Sequence, residues 1–177
     1  AGSVVDPARL RFDFTHYAAV DAEEIAAVER LANQEILRNT PVETNLMELD
    51  QALELGAMAL FGEKYGEKVR VVSTPGFSRE LCGGTHVERT GDIGVCKIVY
   101  EGSIAAGVRR IEAVTGEEAL RRFQQAQSAL GRLGQLTRAG EPELVDAVEK
   151  LLAAQRTLEK QIAEMKQKMA QAEAASL

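Results

Sequence analysis

The hydrophobic period of this 177-residue chain changes near residue 117. Before it, apolar residues recur at every second position in short runs, which is the mark of strands. After it they recur every three to four residues, which is the mark of helix. We therefore expect an α+β domain over residues 1–116, with a mixed or antiparallel sheet and packed helices. A helical hairpin or coiled-coil extension is expected over residues 117–177.

In the first part, Arg9 to Phe14 alternates polar and apolar, so Leu10, Phe12 and Phe14 are expected to share the core face of a strand. His16 closes that strand and reads as a site residue or as a backbone-bonded strand end. Asp21 and Glu24 have the spacing of a capping box, with Val20 and Ile25 placed for a hydrophobic staple. The helix they open should bury Ile25, Val28, Ala32 and Ile36, with Leu31 alongside, and end at Asn39-Thr40-Pro41. Val42, Thr44 and Leu46 predict a second strand. A second helix is expected from Leu49 to Leu60, with Leu53 and Ala57 on its apolar face and Gly62 as its stop. Residues 69–74 form the next expected strand, followed by a Pro75-Gly76 turn. Residues 93–100 form another, with Cys96, Ile98 and Tyr100 on one face. Gly102–Gly107 reads as a small-residue loop and Val108–Val114 as the last strand.

The second part opens with a helix over residues 117–137, interrupted at Ala139-Gly140. Pro142 suits the first turn of a new helix. From there Leu144, Val148, Leu151, Gln155, Leu158, Ile162, Met165, Met169 and Ala172 are spaced by alternating steps of four and three. That is a heptad seam with one polar residue inside it. It either packs back on the preceding helix or pairs with a second copy, giving a homodimer through residues 144–172.

Charge narrows the function classes. The net charge of −6 lies wholly in the first part, because residues 115–177 carry nine basic and nine acidic side chains. An acidic domain lacks the bulk attraction that drives non-specific nucleic-acid binding, so any such contact must be local. No apolar run is long enough to span a membrane, and no signal segment is evident. Two cysteines, Cys82 and Cys96, make no disulfide framework, which points to the cytosol. Cys96 reads as a small core residue. Because the first residue is Ala, we expect a piece of a longer protein.

The chemistry concentrates at Cys82-Gly83-Gly84-Thr85-His86. A soft metal such as zinc takes sulfur and nitrogen ligands, and this stretch offers one of each around two glycines. Gly83 and Gly84 would let the backbone turn through positive φ so that both donors face one point. The competing reading is a structural cysteine and an unrelated loop histidine.

With its neighbours, that stretch resembles the editing domain of alanyl-tRNA synthetase, followed by the start of that family's C-terminal helical region. The resemblance is carried by Gly2-Ser3-Val4-Val5 through Leu10-Arg11-Phe12-Asp13-Phe14-Thr15-His16, by residues 56–66, by residues 78–87 and by residues 107–116, in the family's order. It implies a parent enzyme that joins alanine to tRNA(Ala) using ATP, with an editing domain that hydrolyses tRNA mischarged with serine or glycine. It implies zinc held by a His-x-x-x-His pair and a Cys-x-x-x-His pair, the second being Cys82 and His86. The chain holds only two histidines, His16 and His86, so half the ligand set is expected here. The aminoacylation core and a final tRNA-contacting domain are expected to lie outside this sequence. The expected metal then either lowers the pKa of an attacking water or holds the substrate's amino group or 3′ end while another water attacks. Thr85, Gly83 and Gly84 are candidate substrate-pocket residues. Arg79, Arg109 and Arg110 are candidate tRNA contacts, or else surface ion-pair residues. Two other classes compete: a non-catalytic module that dimerises and orients tRNA, and a free-standing editing hydrolase of the same superfamily.

Overall fold

The computed structural model describes residues 2–59 and 65–175, with side chains to 172. It is α+β, as expected, with its strands in two antiparallel sheets. The chain divides into two units, residues 1–122 and 123–177.

In the first unit, β1 (Gly2–Val5), β2 (Leu10–Thr15), β6 (Cys96–Ala105) and β7 (Val108–Thr115) form a sheet in the order β1-β2-β7-β6. The second sheet is β3 (Glu43–Glu48), β4 (Lys68–Thr74) and β5 (Ser78–Leu81), in chain order. Helix α1 (Ala22–Leu37) begins at the expected capping box. Asp21 accepts the Glu23 and Glu24 N–H groups at 2.8 Å, and Glu24 accepts the Asp21 N–H at 3.0 Å.

Helix α1 packs on the first sheet along Ile25, Ala32 and Ile36, as expected, but not along Val28 and Leu31. Ile36 is buried, but Val28 and Leu31 are about half exposed, at 48% and 49%. Glu29 and Asn33 turn inward instead. Asn33 Nδ2 donates to the Cys96 carbonyl and the Cys96 N–H donates to Asn33 Oδ1, both at 2.8 Å. Glu29 accepts the Ile98 N–H at 2.9 Å and pairs with Lys97 at 3.0 Å. The start of β6 has open backbone groups, and a helix laid against them must bring polar side chains to satisfy them.

Helix α2 (Leu49–Glu54) is shorter than its expected run. Gly56, at φ +78°, takes the left-handed position after the helix, and the Gly56 and Ala57 N–H groups donate to the Leu53 and Ala52 carbonyls. This is a Schellman stop, which only glycine enters at little cost. Ala57 is buried beyond the helix, Leu53 is half exposed, and Leu60 and Gly62 lie outside the described residues. Two further expectations need correction. Strand β6 continues through the expected 102–107 loop to a tight turn at Gly107. Its register shifts between Ile98 and Tyr100, so Tyr100 leaves the face that carries Ile98 and is exposed.

One core cluster joins Val69, Val71 and Leu81 to Ala52 and Ala57, on one face of the second sheet. The other joins Ile36, Cys96 and Ala113 beneath α1. Buried Thr90 ties the segment after β5 to the end of α1: its N–H donates to the Thr40 carbonyl at 2.9 Å and its hydroxyl donates to the Glu35 carbonyl at 2.8 Å. Gly94 lies against Gly116 so closely that a Cβ there would meet the Gly116 Cα at 2.9 Å. That approach seats the 3-10 turn Thr90–Ile93 beside the end of β7.

In the second unit, the later turns of α3 (Gly116–Thr137) lead through Arg138, at φ +56°, to Pro142 and then to the 32-residue α4 (Leu144–Ala175). Most of the heptad seam of α4 is open: Leu151, Leu158, Ile162, Met165 and Met169 are all more than half exposed.

Candidate active site

A cleft of about 520 Å³ lies between the two sheets of the first unit. One wall is the outer face of β4 and β5. Thr74, Pro75, Gly76 and Phe77 join these strands in a turn closed by the Phe77 N–H donating to the Thr74 carbonyl at 3.0 Å, with Gly76 at φ +79°. Strand alternation then sends Ser78 and Glu80 into the cleft, with Cys82 continuing that face, while Leu81 goes to the core. The opposite wall is the β1–β2 turn, the 3-10 turn and Thr115. Asp6 shapes the β1–β2 turn by accepting the Ala8 and Arg9 N–H groups at 2.8 and 2.9 Å, bonds that hold its carboxyl below the usual range.

Cys82, Thr85 and His86 all line this cleft. The loop is pinned from β4. The Cys82 N–H donates to the Arg70 carbonyl at 3.1 Å, and the Arg70 guanidinium donates to the Gly84 carbonyl. The glycines act differently from expectation, since neither Gly83 nor Gly84 has positive φ. A Cβ at Gly84 would be in ordinary contact with both side chains, 3.6 Å from Cys82 Sγ and 4.0 Å from His86 Cε1. The thiol and the imidazole therefore both border Gly84, on the wall of one cleft. Such a pair suits a soft metal as half of a tetrahedral set. Among the described residues, no group of three or more His, Cys, Asp or Glu is placed to hold an ion.

The other histidine and cysteine are elsewhere. His16 stacks on Tyr17 with centroids 5.2 Å apart and lies beside Phe14. Cys96 is buried in the core, where burial, and next to it the Glu29 carboxylate, push its thiol pKa up. Neither lines the cleft.

The three arginines singled out from the sequence are dispersed. Arg79 is exposed on the far face of the β4–β5 hairpin and donates to the Leu55 carbonyl. Arg110 forks onto Asp13 at 2.7 and 2.9 Å, and Arg109 forks onto Glu101. These bonds hold both carboxyls below their usual range. Residues that the motifs did not single out complete the cleft: Thr74, Ser78, Glu80 and the β1–β2 turn. The two-residue spacing of Ser78, Glu80 and Cys82 was the readable signal for the first wall. The β1–β2 turn in the second wall is more than 70 residues away in the chain from Cys82 and left no such signal.

The family model described as the threonyl and alanyl tRNA synthetase second additional domain matches residues 69–112, from β4 through the Cys82–His86 loop into β7. The alanine–tRNA ligase of Solibacter usitatus is 64% identical over all 177 residues, and that of Halorhodospira halophila is 54% identical over 169 residues. That of Fervidobacterium nodosum is 49% identical over 169 residues. These matches cover 96–100% of this chain but 20% of each relative, so the chain spans about a fifth of their length. Along its whole length, then, this chain is similar to one segment of the alanine–tRNA ligases, and its residues 69–112 match the second additional domain described for threonyl and alanyl tRNA synthetases.

Proposed function

We propose that the cleft is the editing site of an alanine–tRNA ligase and that it hydrolyses the ester linking serine or glycine to the 3′ end of tRNA(Ala). The observation that carries this reading is that Cys82 and His86 both border Gly84 and line one cleft, which is also lined by Thr74, Ser78 and Thr85. Its volume, about 520 Å³, is in the range of small-molecule sites. The chemical need is clear. A synthetic site sized for alanine cannot strongly reject a residue that adds one hydroxyl, so a second, hydroxyl-reading sieve is required.

In this reading a water oxygen attacks the ester carbonyl carbon, the bond to the ribose oxygen breaks, and the water's proton passes to that oxygen. Cys82 and His86 would hold zinc, which would supply Lewis-acid polarisation of the reacting groups. The rigid anchor from Arg70 fixes both donors, and Thr85 hydrogen-bonds the seryl hydroxyl. The family's His-x-x-x-His pair supplies the remaining ligands, so this chain alone binds zinc weakly and hydrolyses little. Aminoacylation with ATP belongs to another part of the ligase. The ligase works in the cytoplasm, where tRNA is charged; no described helix is long and apolar enough to cross a membrane. Arg79, with donors left over after its bond to Leu55, is the best placed of the three arginines for an RNA phosphate.

In the full-length ligase, C82A or H86A should lower Ser-tRNA(Ala) hydrolysis at least 100-fold and leave alanylation intact. Retention of wild-type hydrolysis by either variant refutes the assignment. Tight stoichiometric zinc binding by the isolated chain refutes the half-site. A second reading concerns α4: its open seam pairs with a second copy and makes the segment a dimerising, tRNA-orienting module as well. Sedimentation over a concentration series tests this, and a strict monomer retires it.

A further inference from the structure

Four carboxylates line the cleft, and three are engaged. Asp6 closes the β1–β2 turn, Asp92 accepts the Arg89 N–H at 2.9 Å, and Glu118 pairs with Arg121 and Arg122. Glu80 differs. It is half-buried at the centre of the β5 wall, opposite Val72, and among the described residues its carboxylate meets neither a hydrogen-bond donor nor a cation. A half-buried anion without a counter-charge costs stability, and a cationic ligand group would offset that cost. Glu80 is also not grouped with Cys82 and His86 as a third metal donor.

We propose that Glu80 is the ammonium-binding residue of the cleft. Its carboxylate pairs with the α-ammonium of the aminoacyl group and so sets the ester carbonyl beside Cys82 and His86. This rests on the hydrolase reading above. The spacing suits it: two residues along a strand span about 6.6 Å. An aminoacyl group lying along β5 therefore reaches Glu80 at its ammonium end and Cys82 at its ester end. Ser78 and Thr74, beside Glu80 on the same wall, leave hydroxyls for the seryl side chain.

The test uses two non-hydrolysable amides of 3′-amino-3′-deoxyadenosine. One carries serine. The other carries glyceric acid, in which a hydroxyl replaces the α-amino group. Dissociation constants are measured by NMR titration for the full chain and for its Glu80→Gln variant, whose fold is checked by circular dichroism. A charge-assisted bond at a half-buried site is worth roughly a tenfold preference or more. The wild type should prefer the seryl amide by about that factor. E80Q should lose most of the preference, with its affinity for the glyceryl amide changed less than twofold. An undiminished preference in E80Q, or no preference in the wild type, overturns the assignment while leaving the hydrolase reading standing. Failure of the wild type to bind either amide also overturns the Glu80 assignment, while the hydrolase reading stands or falls on the C82A and H86A assays in the full-length ligase.

Discussion

Asn33→Ala would test how α1 is held to the first sheet. Asn33 makes two hydrogen bonds to Cys96 across 63 residues of chain, both 2.8 Å, and donates a third to the Glu29 carbonyl at 2.8 Å within the helix. The substitution removes all three. It also strands the N–H and C=O of Cys96, a residue only 8% exposed. A stranded buried group costs about 1–3 kcal/mol, while alanine's better helix propensity returns about half a kcal/mol. Asn33 is itself only half-buried, so water can reach part of the gap, which places the loss near the lower end. The expected loss is about 2–3 kcal/mol of unfolding free energy, or roughly 5–15 °C in Tm. Asn33→Asp should fall between, since a carboxylate accepts the Cys96 N–H but faces the Cys96 carbonyl without a proton to donate. Urea unfolding followed by circular dichroism measures each. A loss below about 0.5 kcal/mol for Asn33→Ala would show that the side-chain latch contributes nothing beyond solvation.

Gly56→Ala should cost about 1 kcal/mol in the same assay, from conformation alone, because nothing lies within 4 Å of the added Cβ and φ is +78°; an unchanged midpoint would contradict the Schellman stop. Gly84→Ala should leave the Tm within about 2 °C, since the position has no positive φ, yet weaken zinc binding by the full-length ligase by setting a methyl against Cys82 Sγ and the His86 ring. Competition with a chelator reads that affinity, and an unaltered value would show that this contact does not matter. Asp13 and Glu101 are held below the usual carboxylate range by Arg110 and Arg109. Their contribution is therefore present above the unfolded pKa near about 4 and lost as pH falls through the lower folded value. Asp13→Asn with Glu101→Gln should flatten the acid decline of the urea midpoint below about pH 4; an equally steep decline would assign it to other carboxylates.

The residues that were legible from sequence are those whose partners are near in the chain. The capping box of α1 spans three residues, the Pro75-Gly76 turn two, and the heptad seam repeats within one helix. The Cys82–His86 loop is likewise local, so its two donors could be named before any fold was known. What the tertiary structure decided depends on distant partners. Val28 is apolar and in phase, yet it faces outward because the open backbone of β6, more than 60 residues away, draws Asn33 and Glu29 inward. Tyr100 changes face through a register shift against β7 that alternation within its own strand could not announce. The second wall of the cleft brings residues 5–10 together with the 3-10 turn and Thr115, and the pairing of β2 with β7 is what holds the turn around Asp6 there. Side-chain period and turn chemistry are properties of neighbouring residues. Which polar groups must be satisfied, and which carboxylate is left without a partner, is set by whatever surface the fold brings alongside.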